Sequence, residues 1–320
     1  MKIKKVQNRS TKGDEITREM PMACANEKTA VEFMERKRWG NSPSCPSCGC
    51  TNVYQMINSK TGERQDDYRW RCRECKSQYT VRKGTVFEDS RIPMRHWCYA
   101  FWRASTSKKG VSALEIHRQT GVSYKSSLFM LHRIRFAMAD SSTGPLGGTV
   151  EVDETYVGGK PRYKGQSKRG RGTKKTPVLA MVERGGSVKT RPIADVTAKT
   201  LKTAILESVS ADARIITDEN PSYKGIGKHY DGGHHTVCHS AKEYVRGEIH
   251  SNTIEGFFAS VKRGLNGIYH SVSKEHLGLY LSEFEFRYNH RKLEDGERVV
   301  AAIKASEGKR LMYKQPVARI

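Results

Sequence analysis

The segment Thr149-Val150-Glu151-Val152-Asp153 alternates apolar and acidic side chains. Successive side chains of a β-strand point to opposite faces of the sheet, so the two valines share one face while Glu151 and Asp153 share the other. The valine face predicts packing onto a hydrophobic core. The segment therefore predicts a core strand that presents carboxylates beside the sheet and opens a domain.

The patterns after this strand predict an α/β domain. In chain order they indicate a strand, a strand, a helix, a strand, a strand and a helix, at residues 178–183, 187–196, 198–208, 214–218, about 236, and 251–265. Together with the opening strand, this is the element order of an RNase H-like fold. We therefore predict an RNase H-like catalytic domain over residues 146–292.

Acids in two further elements are placed to converge with Asp153. Asp218 ends an apolar strand just before a turn, where open α/β sheets usually collect ligand-binding groups. In the last helix, Asn252, Glu255 and Lys262 fall on one face, beside the apolar stripe that anchors the helix. Carboxylates from separate elements suit a pair of Mg²⁺ (or Mn²⁺) ions, which promote phosphoryl transfer on a nucleic-acid backbone. Considered alone, each acid is best interpreted as an ordinary surface charge, because the chain has 34 Asp and Glu and most such residues are exposed.

A strongly basic stretch lies between the first two strands of this domain. Residues 160–175 contain eight Lys or Arg, three Gly and no acid. A solvated basic loop and an arm that grips phosphate are both compatible with this composition. Its candidate DNA contacts are Lys168, Arg169 and Arg171.

Upstream, residues 110–138 predict a helix-turn-helix. A short helix reaches a turn at Gly121, and a second helix begins after Ser123, a good N-cap residue. This second helix, over residues 124–138, would bury its apolar stripe of Leu128, Leu131, Ile134 and Met138. It would offer three cations to a DNA groove, namely Lys125, Arg133 and Arg135. The alternative is an ordinary two-helix corner within a core.

Further upstream, Cys45-Pro-Ser-Cys48 and Cys72-Arg-Glu-Cys75 have the spacing of a zinc ribbon. Four thiolates form a closed tetrahedral Zn²⁺ site, which stabilises a fold and leaves no open position for catalysis. Strands are predicted at 53–56 and 67–71. Disulfides or chance spacing are the competing interpretations.

These patterns divide the chain into five parts. They are an N-terminal helical segment, the zinc ribbon, the helix-turn-helix region, the RNase H-like domain and a C-terminal tail, at residues 1–40, 41–90, 91–145, 146–292 and 293–320.

The charge of the chain points to a polyanionic partner. Its 320 residues include 57 Lys and Arg against 34 Asp and Glu, a formal net charge of +23. Such a surplus favours DNA or RNA through release of counterions from phosphates. No apolar run is long enough to span a bilayer, so we expect no membrane partner and a cytoplasmic, nucleoid-associated protein.

The chain resembles the DDE-type transposases of bacterial insertion sequences, in the group named after the ISXO-two element and related to Merlin transposons. The residues that carry the resemblance, besides the four cysteines, are Val152-Asp153-Glu154-Thr155-Tyr156-Val157-Gly158-Gly159-Lys160, Thr217-Asp218, Asn252-Thr253-Ile254-Glu255-Gly256-Phe257-Phe258, Lys262-Arg263-Gly264 and Glu283-Phe284-Glu285-Phe286-Arg287-Tyr288-Asn289. The likeness extends from about residue 29 to residue 291.

The resemblance implies that Asp153 and Asp218 are metal-binding aspartates. For the third position we favour Glu255, because it adds charge and lies two helical turns before Lys262, which matches a family cation that contacts DNA phosphate. Asn252 is the alternative, and Arg263 is a further candidate DNA contact.

The implied function is a transposase that binds terminal inverted repeats and carries out DNA cleavage and strand transfer. Its partners would be double-stranded DNA, as element ends and target, and further copies of itself in a homodimer or larger assembly. A non-catalytic DNA-binding regulator and an RNase H-like nuclease without strand transfer are the rival functions.

A cluster around His239 and His250, with His234, His235 and Cys238, has an alternative interpretation as a second zinc site. Its spacing fits no standard zinc motif, so a contact with phosphate or with a metal-bound water is the favoured role.

Overall fold

The computed structural model describes residues 15–139, 144–158, 175–238 and 245–312. The chain divides into two compact units, one formed by residues 1–138 and 290–313 and the other by residues 139–289 and 314–320. No helix within the described ranges combines the length and apolar character needed to cross a bilayer.

The helices and strands of the described residues are numbered in chain order. The helices are α1 (Glu15–Ala25), α2 (Glu27–Trp39), α3 (Met94–Thr106), α4 (Ala113–Thr120), α5 (Tyr124–Met138), α6 (Ala198–Leu206), α7 (Asn252–Gly264), α8 (Leu277–Asn289) and α9 (Asp295–Lys304). The strands are β1 (Val53–Gln55), β2 (Trp70–Cys72), β3 (Gln78–Tyr79), β4 (Thr149–Val157), β5 (Thr176–Glu183), β6 (Val188–Pro192), β7 (Arg214–Thr217), β8 (His234–Thr236), β9 (Val245–Arg246) and β10 (Ile249–His250).

The first unit contains a small antiparallel sheet in the order β1-β2-β3. Val53 pairs with Cys72 across β1 and β2, and Trp70 pairs with Tyr79 across β2 and β3. Cys45, Cys72 and Tyr79 form the buried centre of this sheet region. So small a core suits a module that is stabilised by a metal rather than by apolar area.

Helices α4 and α5 have the form of a helix-turn-helix at the predicted positions. The Ser112 hydroxyl accepts a hydrogen bond of 3.0 Å from the Glu115 N–H at the start of α4. Gly121, with a left-handed φ of 72°, ends that helix. Ser123 Oγ accepts from the Ser126 N–H at 3.3 Å, which caps α5. Local capping residues therefore fix both boundaries.

The segment that the sequence analysis treated as a tail forms a helix at its start. Helix α9 contacts α1, α2, α3 and α5, and it buries Val299, Ala302 and Ile303. Arg38 of α2 donates to Glu307 Oε1 at 3.1 Å just beyond α9. The described residues 290–312 therefore pack with the first unit, where the sequence predicted a C-terminal tail from residue 293.

The second unit is built on a five-stranded sheet in the order β6-β5-β4-β7-β8. Strands β4, β5 and β6 pair antiparallel, whereas β7 pairs parallel with β4 and β8 pairs parallel with β7. Helix α6 covers one face of the sheet, and α7 and α8 cover the other. This order and these directions confirm the predicted RNase H-like α/β fold.

Strand β4 is the centre of this sheet and separates its two cores. Val150 and Val152 are buried with Leu201 and Ile205 of α6, as the alternation of the sequence predicts. Asp153 lies on the opposite face, toward α7. Strand β4 continues to Val157, four residues beyond its predicted end.

Candidate active site

Asp153 and Asp218 lie on adjacent parallel strands. Glu151 of β4 is in register with Ile216 of β7. The same register, continued by two residues, places Asp153 beside Asp218, which directly follows β7. The carboxyl ends of parallel strands meet at one edge of a sheet, so the fold brings together two acids that are far apart in sequence.

Glu255 of a third element, α7, lies near enough to Asp153 to affect its pKa. The pKa of Asp153 is raised from an ordinary value of 3.8 to about 7, first by burial and then by the negative charges of Glu154, Asp218 and Glu255. The Glu154 N–H donates to Asp153 Oδ1 at 2.8 Å and opposes part of this rise. Acidic side chains from β4, from the residue after β7 and from α7 therefore add to the negative potential at Asp153. A divalent cation bound there would reduce the repulsion between these carboxylates.

The donor set of this site fits hard cations. Carboxylate oxygens are the ligands that Mg²⁺ and Mn²⁺ prefer, and each ion needs only one or two of them beside water and substrate phosphate. Among the described residues, only the four ribbon cysteines form a group of three or more candidate metal ligands whose ligand atoms all lie within 4.8 Å of one another.

Glu154, which the sequence analysis did not single out, ties β4 to the turn after β7. Its Oε1 accepts from Asn220 Nδ2 at 2.7 Å, and its Oε2 accepts from the Tyr223 hydroxyl. The Asn220 N–H in turn donates to Asp218 Oδ1 at 3.1 Å. Burial first, and then the charge of Glu154, raise the pKa of Tyr223, so its hydroxyl stays a neutral donor. This network holds Asp218 in a fixed position relative to Asp153.

Helix α7 presents the two candidates for the third position. Ile254, Phe257, Phe258 and Val261 are buried against the sheet, which confirms the predicted anchoring stripe. Asn252 and Glu255 are exposed on this helix, while Ser251 Oγ donates to Glu255 Oε1 at 3.0 Å. Glu255 contributes to the field at Asp153.

Glu151 is the residue that attaches the start of α7 to β4. Its side chain is fully buried, and its Oε1 accepts from Arg184 Nε at 2.7 Å and from Thr253 Oγ1 at 2.9 Å. Its Oε2 accepts from the Ile254 N–H at 2.9 Å. The alternation of side chains in β4 predicted that Glu151 shares a face with Asp153, but it predicted no role for Glu151. The signal for this role was a charged residue within an otherwise apolar strand, because a charge that is buried in a protein is paired with hydrogen-bond or ionic partners.

Arg184 extends this attachment to the segment before α7. Its Nη1 donates to the Glu248 carbonyl at 2.6 Å, and its Nη2 donates to the His250 carbonyl at 2.8 Å. The guanidinium therefore joins β10 to the buried carboxylate of Glu151, and the entry into α7 is fixed from both sides.

The predicted DNA-contacting residues fall into different environments. Lys262 and Arg263 are exposed in the last turn of α7, and Lys125 is exposed at the start of α5. Lys168, Arg169 and Arg171 lie outside the described residues.

Two arginines that were predicted to face a DNA groove instead pack against the interior of the first unit. Arg135 is 1% exposed, so its prediction as a groove contact is not supported by its position. The Arg133 guanidinium is half-buried and donates to the carbonyls of Leu311 and Glu88, both at 3.2 Å. Helix α5 faces its own unit on the side that carries these arginines. Of the predicted apolar stripe, Leu131, Ile134 and Met138 are buried, whereas Leu128 is only partly buried.

The four ribbon cysteines form a compact tetrad. Their ligand atoms all lie within 4.8 Å of one another, with Sγ–Sγ distances of 3.6 Å between Cys45 and Cys75 and 3.7 Å between Cys48 and Cys72. A disulfide needs about 2.05 Å between its sulfurs. Zn–S bonds of about 2.3 Å at tetrahedral angles place sulfurs about 3.8 Å apart. The tetrad therefore fits a structural Zn²⁺ and not disulfides.

The histidine cluster shows no comparable grouping in the described part of the chain. His234 Nε2 lies 2.9 Å from Thr217 Oγ1 within the sheet edge, and His250 Nδ1 lies 3.4 Å from Glu151 Oε1. His239 lies outside the described residues. Both His234 and His250 therefore contact neighbouring residues of the central sheet, namely Thr217 and Glu151.

Comparison with known proteins identifies relatives of both regions. Residues 145–289 match the family model of the ISXO2-like transposase domain, and residues 25–78 match the model of a transposase zinc-ribbon domain. An uncharacterized protein in transposable element ISH50 of Halobacterium salinarum is 29% identical over 278 residues, which cover 82% of this chain and 90% of that protein. Among solved structures, the Mos1 transposase paired-end complex with left transposon end matches with a TM-score of 0.27 and 15% identity, over 60% of this chain and 74% of that chain.

Proposed function

We infer that this chain, which belongs to the ISXO2-like family of insertion-sequence transposases, is a DDE-type enzyme. It would bind the terminal inverted repeats of its element and catalyse metal-dependent DNA cleavage and strand transfer. The observation that carries the proposal is the parallel register of β4 with β7, which sets Asp153 beside Asp218, with Glu255 of α7 near enough to contribute to the raised pKa of Asp153.

Asp153, Asp218 and Glu255 are the residues that would hold two Mg²⁺ or Mn²⁺ ions. When bound, such a pair activates the attacking oxygen and stabilises the leaving one in an in-line displacement. Asp153 has a raised pKa and must lose its proton to become a full ligand, so metal binding and proton release at this carboxyl are linked. Asn252 is the alternative third residue.

The remaining residues position these acids and the DNA. Glu151 fixes the N-terminal turn of α7, and Glu154 with Asn220 fixes Asp218. Lys262 and Arg263, exposed on α7, would contact phosphates of the strand being cut. Water would be the first nucleophile, and the released 3′-hydroxyl would be the second.

The first unit would supply recognition of the element ends. Its zinc ribbon and its helix-turn-helix, with Lys125 exposed at the start of α5, would bind double-stranded DNA. The net charge of +23 supports extensive phosphate contact. Because two element ends must be joined to one target, a homodimer or larger assembly would form on the DNA, at the nucleoid of a bacterial cytoplasm.

A single assay separates this proposal from its rivals. The purified chain is incubated with linear DNA that carries both ends of its own element, a supercoiled target plasmid, and Mg²⁺ or Mn²⁺. Joined products support the transposase, cleavage without joining indicates a nuclease, and binding without cleavage indicates a regulator. Asp153→Ala and Asp218→Ala must abolish cleavage and retain DNA binding; substantial cleavage by either variant would refute the assignment of the site.

A further inference from the structure

One face of the three-stranded ribbon sheet packs against α2, and the other face carries arginines. Trp70 of β2 and Tyr79 of β3 lie opposite each other, and both pack edge-on against Trp39 of α2, at ring-centroid distances of 5.8 Å and 6.0 Å. Cys72, two residues after Trp70, is buried on the same side. Because side chains alternate along a strand, Arg71 lies on the side of the sheet away from α2.

Arg71 is at the centre of this second face. Across the sheet it pairs with Tyr54 of β1 on one side and with Gln78 of β3 on the other. Residues directly opposite each other in antiparallel strands share a face, so these three side chains form one row. Arg69 and Arg73 lie two residues before and after Arg71, and they share the face by the same alternation. We call these five residues the outer face of the ribbon.

Neighbouring side chains orient the arginines at the two ends of the outer face. Arg69 Nη1 donates to Gln78 Oε1 at 3.1 Å, and Arg69 Nε lies 3.0 Å from Asp67 Oδ2. The Arg73 guanidinium lies over the ring of Tyr54, 4.7 Å from its centroid. These contacts run along the outer face, as the strand register requires.

The middle arginine is in a different position. Arg71 is half-buried, but in the described part of the chain no hydrogen bond or ion pair engages its guanidinium. Arg64, in the same ribbon, shows what a structural arginine has here, because it donates to Glu35 Oε2 at 2.9 Å and to the Tyr68 carbonyl at 3.0 Å. The N–H donors of Arg71 are therefore available to acceptors of a ligand.

The charge of the outer face favours an anionic partner. Its three arginines are accompanied by one acid, Asp67, and the exposed Glu74 and Lys76 of the adjoining turn offset each other. A guanidinium is planar and weakly hydrated, and it pairs with two acceptors at once. Phosphates and guanine edges are the partners in DNA that match this chemistry.

The dimensions of the sheet suit the major groove of B-DNA. Neighbouring strands lie about 4.8 Å apart, so β1 and β3 are separated by about 10 Å. The major groove is about 12 Å wide, and strands as well as helices bind in it. Guanine presents O6 and N7 there as a pair of acceptors for one arginine.

We propose that the outer face of the ribbon binds in the major groove of the element-end DNA and reads one guanine through Arg71. The Arg71 guanidinium donates to O6 and N7 of that guanine, and Arg69 and Arg73 contact phosphates. Tyr54 and Gln78 are positioning residues for these two end arginines. The proposal rests on the proposed function, because it takes the element ends as the DNA that the ribbon binds.

Arg71→Lys tests the reading of a base, because lysine keeps the charge and lacks the paired donors. Fluorescence anisotropy without added Mg²⁺ compares a duplex that carries the terminal inverted repeat with a scrambled duplex of the same composition. The native chain should prefer the repeat, and Arg71→Lys should reduce this preference about tenfold while it binds the scrambled duplex as the native chain does. Zinc content equal to that of the native chain shows that the ribbon is folded.

Arg36→Lys is the matched control for this variant. Arg36 is an exposed arginine of α2 that pairs with Glu19 at 3.0 Å, so its replacement should leave the preference for the repeat unchanged. An Arg71→Lys protein with native zinc content and the same preference as this control would overturn the proposal. Equal weakening on both duplexes would also overturn it, because that result makes Arg71 a phosphate contact.

Arg69→Ala and Arg73→Ala test the two end arginines. Each should weaken binding to the repeat and to the scrambled duplex alike, and each should lower the salt slope by about one. A loss confined to the repeat duplex, with an unchanged salt slope, would contradict their role as phosphate contacts.

Substituted DNA identifies the guanine that Arg71 reads. 7-Deazaguanine lacks the N7 acceptor and is placed at each guanine of the repeat in turn. At one position it should weaken binding of the native chain about fivefold or more, and at that position it should not weaken binding of Arg71→Ala any further. If no guanine shows this dependence on Arg71, the proposal is wrong.

The inactive variant Asp153→Ala separates the outer face from the catalytic assignment, and it should keep the preference for the repeat. A chain that reads the guanine through Arg71 but never cuts DNA would retain the outer face and refute the enzyme. A chain that cuts and joins DNA with a preference independent of Arg71 would do the reverse. A native chain without any preference for the repeat would overturn the reading of a base, whatever its cleavage activity.

Discussion

The buried carboxylate of Glu151 accepts a hydrogen bond of 2.9 Å from the backbone N–H of Ile254. This contact joins the central strand to the first turn of the helix that carries Glu255. The N-terminus of a helix has unsatisfied N–H groups and a positive end, so a buried anion there is favourable. The geometry of the candidate active site therefore depends on a residue that does not itself face the substrate.

Glu151→Gln should disturb this attachment without changing the shape of the side chain. The amide oxygen still accepts a hydrogen bond, but the charge that pairs with Arg184 is lost, so unfolding free energy should fall by about 3 kcal/mol. DNA cleavage should fall by more than tenfold while DNA affinity stays within about twofold, because α7 no longer holds Glu255 in place. Chemical denaturation and single-turnover cleavage measure the two effects.

Glu207→Gln is the matched control for this variant. Glu207 pairs with Arg191 at the surface, where both side chains are about half exposed, so its removal should change stability by less than about 0.5 kcal/mol. A Glu151→Gln protein as stable and as active as this control would contradict the role given to Glu151.

The pKa of Asp153 predicts a pH-dependent stability. Because its folded pKa of about 7 exceeds the ordinary value of 3.8, the folded state binds more protons than the unfolded state between these values. Stability from this group is therefore lost as the pH rises from about 4 to about 7. Asp153→Asn removes the effect, so at pH 8 and in EDTA the variant should be more stable than the native chain, by at most about 4 kcal/mol.

Thermal unfolding at pH 4.5 and pH 8 checks this sign. The two proteins should differ little at the lower pH and clearly at the higher one. Mg²⁺ should raise the melting temperature of the native chain at pH 8 and should affect Asp153→Asn much less, because the cation binds the ionised carboxylate. A native chain that gains stability toward pH 8 in EDTA, relative to the variant, would show that Asp153 is not buried among acids.

Glu255 and Asn252 can be separated by paired substitutions. Glu255→Gln removes a charged ligand and should lower cleavage by at least about 100-fold, in keeping with the several kcal/mol that metal-ion catalysis supplies. Asn252→Ala should lower cleavage by less than about threefold. Single-turnover rates across a Mn²⁺ titration provide the measurement. The opposite ranking would make Asn252 the third residue of the site.

Zinc content tests the cysteine tetrad. The native chain should hold about one zinc ion, and Cys72→Ser should lose it, because three thiolates do not close a structural site. DNA-end binding should weaken, and proteolysis should reach the region between the cysteine pairs. Cys238→Ser, a half-buried cysteine outside the tetrad, serves as the control. Full zinc occupancy in Cys72→Ser would contradict the site.

The features that sequence patterns predicted are those with local signals. Helix α5 has the predicted bounds because Gly121 and Ser123 fix the turn before it. The alternation in β4 predicted both faces of the central strand. The acids that are far apart in the chain predicted a single site only when the elements that carry them were considered together. The resemblance to a transposase family then implied a role for each acid.

The features that sequence patterns missed depend on distant partners. Glu151 contacts a residue 103 positions away, and Glu154 contacts Asn220 across 66 positions. Helix α9 completes the first unit through contacts such as that of Arg38 with a residue 269 positions later. Such partners follow from the folded arrangement and not from local periodicity. For the same reason, Arg135 reads in sequence as a surface cation although it is buried.

Lys125 and Arg135 of helix α5 predict opposite effects when they are replaced. Lys125 is exposed, so Lys125→Ala should leave the melting temperature within about 1 °C and should weaken DNA binding with a salt slope lower by about one. Arg135 is 1% exposed, so Arg135→Ala should lower stability by about 2 kcal/mol or more, since it leaves a void in the core. Anisotropy with duplex DNA at several salt concentrations and thermal unfolding of both variants give the comparison. If Arg135→Ala is as stable as Lys125→Ala and weakens DNA binding with the same salt signature, helix α5 faces DNA on the side that the structure assigns to the core.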